Sequence, residues 1–287
     1  MTKKTTILGI NGSFGTLFSE LLFNENQSVI TGIDLSSTNS PSAKCSAYAP
    51  SDLTVFNEEV KLLVMESDVI IMCLPEDIAY RFIDIYIRYL SKNALLVDTL
   101  SVKSQIAALY NDNGFTALSL NPMFGPDLEF EGKNIIVVKI KDSDLSDGFI
   151  SLLKTWKVNL ITLTSEEHDK MTSLVQVATH AAVMAFGMTL IQSEIPVTEL
   201  LKVATPPFLN MCTLFARITS GTKNVYWSIQ TENMYASEIR KALINNLVTL
   251  DKSIQDEHEA DFNQLIEPTT PGEKAIFKTL SQNFQKK

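Results

Sequence analysis

The chain has 287 residues, 45% hydrophobic and 20% charged. That is a length for two domains or one large one, and a balance that excludes a disordered or collagen-like chain. With 24 basic against 33 acidic residues the formal charge is −9, which leaves no electrostatic footprint for a phosphate backbone and argues against nucleic acid as a partner. Cys45, Cys73 and Cys212 are odd in number, far apart and without CxxC or zinc-ligand spacing. They read as reduced thiols of a cytoplasmic protein that has no metal centre. The N-terminus passes directly into a strand-like run and lacks a signal-peptide core. No uninterrupted apolar stretch approaches the roughly 20 residues of a membrane span, so the expectation is a soluble protein with no membrane contact.

In chain order, Thr5–Ile10 is a strand candidate, followed by a glycine-containing turn and the apolar-periodic Phe14–Phe23. Ser28–Ile33 is a second strand ending at Asp34, and Asp68–Leu74 and Ala94–Val97 are continuous apolar runs, as expected of strands buried on both faces. Asn134–Ile140 and Lys157–Leu163 follow. Strands separated by helix-length segments predict βαβ units and a parallel sheet. At Thr164 the character changes. Thr164-Ser-Glu-Glu167 has the form of a capping box and opens a long apolar-periodic helix to about Gln192. Beyond it come helical patterns and proline breakers, with no convincing strand pair. The expected fold is an α/β Rossmann-like parallel-sheet domain over residues 1–163, followed by an all-α dimerisation domain over 164–287. The long apolar stretches of the helical part, such as Leu174–Ile191, call for burial against a second copy, and hence a homodimer.

Gly9-Ile-Asn-Gly-Ser-Phe-Gly15 lies between the first strand and first helix, where a Rossmann fold puts its phosphate turn. The first glycine of GxGxxG should fall at position 10, where the chain has Ile10, and Gly9 stands one place early. Gly12 lets the backbone approach a pyrophosphate, and Gly15 lets helix and strand pack closely. Asp34 ends the second strand 22 residues after Gly12, where a carboxylate accepts the ribose hydroxyls of NAD and repels the 2′-phosphate of NADP. Ser36, Ser37 and Thr38 follow it, with no Arg or Lys close by. The cofactor is therefore NAD, held by Gly9, Gly12, Ser13, Phe14, Gly15, Asp34 and Leu74.

Further along come Val97–Lys103 (VDTLSVK), Leu120–Pro126 (LNPMFGP), Glu166–Asp169 (EEHD) and Gln176–His180 (QVATH). In this order and spacing the chain resembles the prephenate dehydrogenase family of aromatic amino-acid biosynthesis, from the first strand to about residue 245. The resemblance implies an NAD(P)-binding Rossmann domain, a helical dimerisation domain and an active site between them. It also implies an oxidative decarboxylation in which hydride leaves C4 of a cyclohexadiene and the ring carboxylate leaves as CO2.

Asn121 departs from the family pattern, which places there a histidine that takes the proton of the substrate 4-hydroxyl. An amide is no general base near neutral pH, and losing such a base typically costs 10²–10⁴-fold in rate. A 4-amino substituent removes that need, because its nitrogen lone pair assists hydride departure with no O–H proton to lose, and the Asn121 amide oxygen can accept a hydrogen bond from the amine. Thr99–Val102, Leu120–Phe124 and Val225–Gln230 (VYWSIQ) also resemble the 4-amino-4-deoxyprephenate dehydrogenases of antibiotic pathways. Prephenate or arogenate is the alternative substrate, and a catalytically impaired nucleotide-binding relative the alternative class.

Three more positions take roles from the resemblance. Ser101 matches a serine beside the C4 substituent and nicotinamide, although by its residue type it reads equally as the N-cap of a helix over Val102–Tyr110. His180 sits on an apolar helix face, where a lone histidine is more often core; the resemblance places it in the substrate pocket. Arg217 stands in the apolar TLFARI segment, needs an anionic partner, and matches an arginine that holds a substrate carboxylate. Gln176, four residues before His180, is expected to share its pocket. His168 reads as structural, and His258 as part of a solvated face.

Overall fold

The computed structural model describes residues 3–25, 28–35, 44–125 and 130–284. Ser36, Ser37, Thr38 and Pro126 lie outside the described residues. Strands β1 (Lys3–Leu8), β2 (Ser28–Asp34), β3 (Ala47–Pro50), β4 (Val69–Met72), β5 (Leu95–Asp98), β6 (Thr116–Pro122), β7 (Asn134–Lys139) and β8 (Asn159–Thr162) form one sheet in the order β3-β2-β1-β4-β5-β6-β7-β8. The order reverses between β1 and β4, the switch point at which open α/β sheets bind ligands beyond the carboxyl ends of their strands.

Strand side chains alternate between faces, and both faces are covered. Ile7, Ile71 and Val97 share one core with Phe18 and Leu22 of α1 (Ser13–Asn24) and Phe149 and Leu153 of α5 (Asp144–Thr155). Leu8, Ile70 and Leu96 share the other with α2 (Glu58–Glu66), α3 (Glu76–Tyr86) and α4 (Ser104–Asp112). This two-sided burial is why the strands read as continuous apolar runs.

Two strands escape that pattern. β3 is four residues at the sheet edge, and β6 (TALSLNP) is buried along its whole length yet mixes apolar with polar residues. The sheet is also not wholly parallel, because β6 and β7 pair antiparallel. Residues 123–133 alone join them, and a parallel return needs a crossover of a dozen or more residues, usually a helix.

Beyond β8 the elements are helical. Thr164 and Glu167 form the expected capping box, each side chain accepting from the other's backbone N–H. α6 (Ser165–Thr172) continues through a π-helical stretch, Ser173–Ala178, into α7 (Thr179–Gln192). The helices α8 (Val197–Lys202), α9 (Pro206–Ser220), α10 (Lys223–Glu232), α11 (Ala236–Gln255), α12 (Glu259–Ile266) and α13 (Pro271–Phe284) follow. By compactness the chain divides into Met1–Ser237 and Glu238–Lys287. The first unit holds the sheet and the helices to α10; the second is helical.

Among the described residues one helical stretch, Ser165–Gln192, is long and apolar enough to cross a membrane. It is not an uninterrupted apolar run, because Gln176, Thr179 and His180 break the apolar sequence without lowering its average much. Met171, Leu174, Val175, Met188 and Ile191 along it are exposed in the single chain.

The irregular glycine motif has a packing reason. Ile10 occupies the place of the motif's first glycine and is fully buried. The room it needs comes from the neighbouring strand, where a Cβ on Gly32 would lie 2.3 Å from Ile10 Cδ1. Gly32→Ala should therefore destabilise the chain by about 1–3 kcal/mol through overpacking. Ile10→Ala in the same chain should recover part of that loss, so strict additivity of the two changes in urea unfolding would refute the pairing.

Candidate active site

The turn after β1 is shaped for a close approach of backbone to backbone. Gly9 sits at φ +76°, and a Cβ there would lie 2.3 Å from the Cys73 carbonyl oxygen and 3.0 Å from Leu74 Cδ2. Gly12 donates its N–H to Gly9 O at 3.0 Å, and a Cβ on Gly15 would lie 2.1 Å from the same oxygen. Helix α1 then starts at Ser13 with neither a side-chain cap nor an acidic residue in its first turn, so its N-terminal amides face outward uncompensated, the arrangement that receives a phosphate. Asp34 closes the far side. Its Oδ2 accepts from Asn11 N at 2.9 Å and its Oδ1 from Leu35 N at 2.8 Å. Phe14 packs edge-on against Phe124 at 6.0 Å, tying the turn to the LNPMFGP segment. Turn, helix start and carboxylate together fit a dinucleotide.

Asn121 stands near the carboxyl end of β6, 4% exposed. Its Nδ2 lies 2.9 Å from His168 Nε2, and His168 Nδ1 lies 2.7 Å from Asp169 Oδ1. Asp169 also accepts from Lys103 N at 2.9 Å and Ser104 N at 2.8 Å. Burial works to raise the Asp169 carboxyl, but the hydrogen bonds from His168, Ser104 and Lys103 outweigh it and hold it below the usual carboxylate range. Burial lowers His168 below the usual histidine range, and the Lys103 charge adds to that against the pull of Asp169. An ionised carboxylate only accepts, so the neutral His168 ring carries its proton on Nδ1 and offers the Nε2 lone pair to the Asn121 amide N–H. The Asn121 Oδ1 is then turned away from His168, and it accepts no hydrogen bond among the described residues.

Beneath this chain lies Lys103, fully buried. Its ammonium donates to Leu100 O at 2.5 Å, Leu120 O at 2.7 Å and Asp98 Oδ1 at 3.3 Å. Burial lowers its pKa against the opposing charge of Asp98. Three donors meet three acceptors, and these bonds bind the ends of β5 and β6 to the loop that carries Ser101. The Ser101 backbone N–H donates to Glu76 Oε1 at 2.7 Å. Ser101 does not cap α4. That helix starts at Ser104, and its first amides are held by Asp169, delivered from α6.

His180, Arg217 and Tyr226 form a second group. The His180 and Tyr226 rings meet edge-to-face at 4.9 Å, and His180 Nδ1 is buried without a partner. Burial lowers the His180 pKa, and the Arg217 charge pushes the same way. Arg217 is exposed and makes no ion pair among the described residues. Gln176 lies half-buried inside the π stretch, where a turn closes over five residues instead of four, so its spacing to His180 is not that of one α-turn. Gln230 Nε2 donates to Val177 O at 3.0 Å, pinning that stretch. His168, which reads as structural from the sequence, and Asp169, its neighbour in the EEHD segment, are both at zero exposure.

The model of the prephenate dehydrogenase dimerization domain matches residues 164–267. Over 264 residues the chain is 32% identical to the 4-amino-4-deoxyprephenate dehydrogenase of Streptomyces pristinaespiralis, covering 91% of this chain and 88% of that one. The chain belongs to the prephenate dehydrogenase family. It is 24% identical over 269 residues to a probable arogenate/prephenate dehydrogenase of Methanocaldococcus jannaschii, covering 91% of this chain and 59% of that one. Its fold is that of the A. aeolicus prephenate dehydrogenase solved with hydroxyphenyl propionate and NAD+, with TM-score 0.72, 19% identity and 98% of each chain covered. Family membership makes the chain a dehydrogenase with a Rossmann-type domain and a dimerization domain.

Asp169→Ala leaves two helix amides and the His168 ring N–H unpaired inside the protein and should cost on the order of 3 kcal/mol. Folded His168 and Asp169 both bind protons less readily than in the unfolded chain. The stability they give the wild type should therefore fall as pH drops below about 6.5, and further below about 3.8. Urea unfolding of both proteins at pH 7.5 and 5.0 checks the histidine part: because Asp169 helps His168 keep a proton, Asp169→Ala should show a pH dependence at least as large as the wild type, and a smaller one would refute it.

Proposed function

We propose that the chain catalyses NAD-dependent oxidative decarboxylation of 4-amino-4-deoxyprephenate to 4-aminophenylpyruvate, in the supply of 4-aminophenylalanine for antibiotic biosynthesis. In this reading residues 1–163 bind cofactor, residues 164–287 bind substrate and a second copy, and the protein works as a cytoplasmic homodimer. The observation that carries the choice of substrate is the orientation of Asn121. With its N–H donated to His168, the amide presents an acceptor, suited to a substrate amine and unable to take a proton from a hydroxyl.

NAD, when bound, supplies the acceptor for the hydride that leaves C4. The chain's own residues do the rest. The Gly9–Gly15 turn and the start of α1 hold the pyrophosphate, and Asp34 holds the ribose hydroxyls and disfavours a 2′-phosphate. Asn121 accepts from the C4 amine, keeping its lone pair directed at the ring. Ser101 lies on the loop fixed by Lys103 and Glu76, close to the same substituent. Arg217, which makes no ion pair among the described residues, takes a substrate carboxylate, and a neutral His180 beside it, with Gln176, completes that end of the site. The exposed apolar residues of the Ser165–Gln192 helix, together with the match to a dimerization domain, support a homodimer over a membrane span.

Asp34→Ala should weaken NAD binding and relax discrimination against NADP; calorimetric titration of both cofactors checks it, and unchanged NAD affinity with no gain for NADP would remove Asp34 from the site. Asn121→His tests the substrate. Restoring an imidazole should raise prephenate turnover by at most about 10²–10⁴-fold while activity on the 4-amino substrate falls. NADH formation measured with the two substrates side by side decides it. A wild type that oxidises prephenate faster, or a substitution that moves both rates the same way, returns the chain to the tyrosine-pathway reading.

A further inference from the structure

We infer that His168 is a specificity-determining residue: by accepting the Asn121 amide N–H it fixes which end of that amide meets the C4 substituent. The inference rests on the reading above that Asn121 faces C4. A primary amide can sit in either of two orientations of nearly equal shape, one presenting an oxygen and the other an NH2. The oxygen accepts from an amine or a hydroxyl alike, but an unfixed Asn121 would also offer its NH2, which a hydroxyl oxygen accepts from more readily than an amine does, and so would discriminate less.

The groups that face His168 together leave its ring neutral with one tautomer. Asp169, its neighbour on α6, accepts from Nδ1 at 2.7 Å and also from the amides of Lys103 and Ser104, which keep it ionised. It can offer no proton in return. From the loop before α4 the Lys103 charge disfavours protonation of the ring, while Asp98 at the end of β5 acts weakly the other way. The ring is therefore an acceptor at Nε2, and from β6 only the NH2 end of Asn121 satisfies it. The carboxylate sets the tautomer, the tautomer sets the amide, and the amide selects the substituent. His168 touches neither substrate nor cofactor in this scheme; it acts through Asn121.

Two measurements test this. The chain has three histidines, His168, His180 and His258, so 15N-edited spectra of the full-length wild type at pH 7.5, assigned with His168→Gln, can read the His168 tautomer. Protonated Nδ1 and bare Nε2 are expected; a proton on Nε2 would turn the Asn121 oxygen toward the ring and overturn the inference. The second is calorimetric binding of 3-(4-aminophenyl)propionate and 3-(4-hydroxyphenyl)propionate to the protein saturated with NAD+. His168→Leu removes the acceptor and should lower the ratio of amino to hydroxy affinity by about ten- to a hundredfold. His168→Gln, whose carbonyl can again accept from Asn121, should restore part of it. A purely structural role would weaken both ligands together and leave the ratio unmoved, and that result would also overturn the inference. If wild type binds the hydroxy analogue better, the substrate reading fails, yet a ratio that shifts in His168→Leu still establishes His168 as the residue that orients Asn121. Should His168→Leu fail to fold, the wild-type tautomer alone decides.

Discussion

Asp169 divides its two oxygens among three donors that come from different parts of the chain: the first amides of α4, which belongs to the α/β part, and the ring of His168 on its own helix. Much of the site follows from that one carboxylate. It fastens α6 to the start of α4, fixes the His168 tautomer, and through His168 orients Asn121 at the end of β6. Hydrogen bonds from uncharged and backbone donors keep it ionised despite burial. An aspartate here is thus a cap, a tether and an orienting group together, and none of these uses is visible from its sequence position alone.

The dinucleotide turn solves a different problem, of volume. The motif asks for glycine at position 10 so that the turn can be tight. This chain keeps the tight turn at Gly9 and buries an isoleucine at position 10, with the missing side chain transferred to Gly32 on the adjacent strand. The motif looks degenerate because the compensating glycine is 22 residues away in sequence, on β2, where the Ile10 side chain folds back from the turn to lie against it.

Legibility in the sequence tracked burial and locality. Strands buried on both faces were plain from their apolar runs, and the helix starting at Thr164 was plain from a capping box that needs only four consecutive residues. β6 was not legible as a strand, since Thr116, Ser119 and Asn121 break its apolar pattern, and Ser119 is polar for a reason that lies elsewhere: its hydroxyl serves Asp98. The family motifs brought Asn121, Ser101, His180 and Arg217 into view, but a motif does not say who holds whom. Ser101 was readable as a helix cap only while Asp169, 65 residues beyond Ser104, was out of sight, and His168 was passed over because its partner lies 47 residues away on another element.

The π-helical stretch has a consequence for how this helix tolerates change. A π turn is an α-helix carrying one residue too many, and each residue in an α-helix rotates the side chain that follows by about 100°. Ser173–Ala178 therefore works as a phase shift between two otherwise regular segments. On its amino side the phase is locked by Asp169 and His168, and on its carboxyl side by the packing of α7. With Gln230 occupying the carbonyl at Val177, the surplus residue is absorbed in one place, so each segment keeps its own rotational setting. Deleting one residue there would let the stretch close as an ordinary α-turn with both flanks keeping their settings, whereas deleting one from the regular turns of α7 before His180 would swing that ring about a quarter-turn from Tyr226.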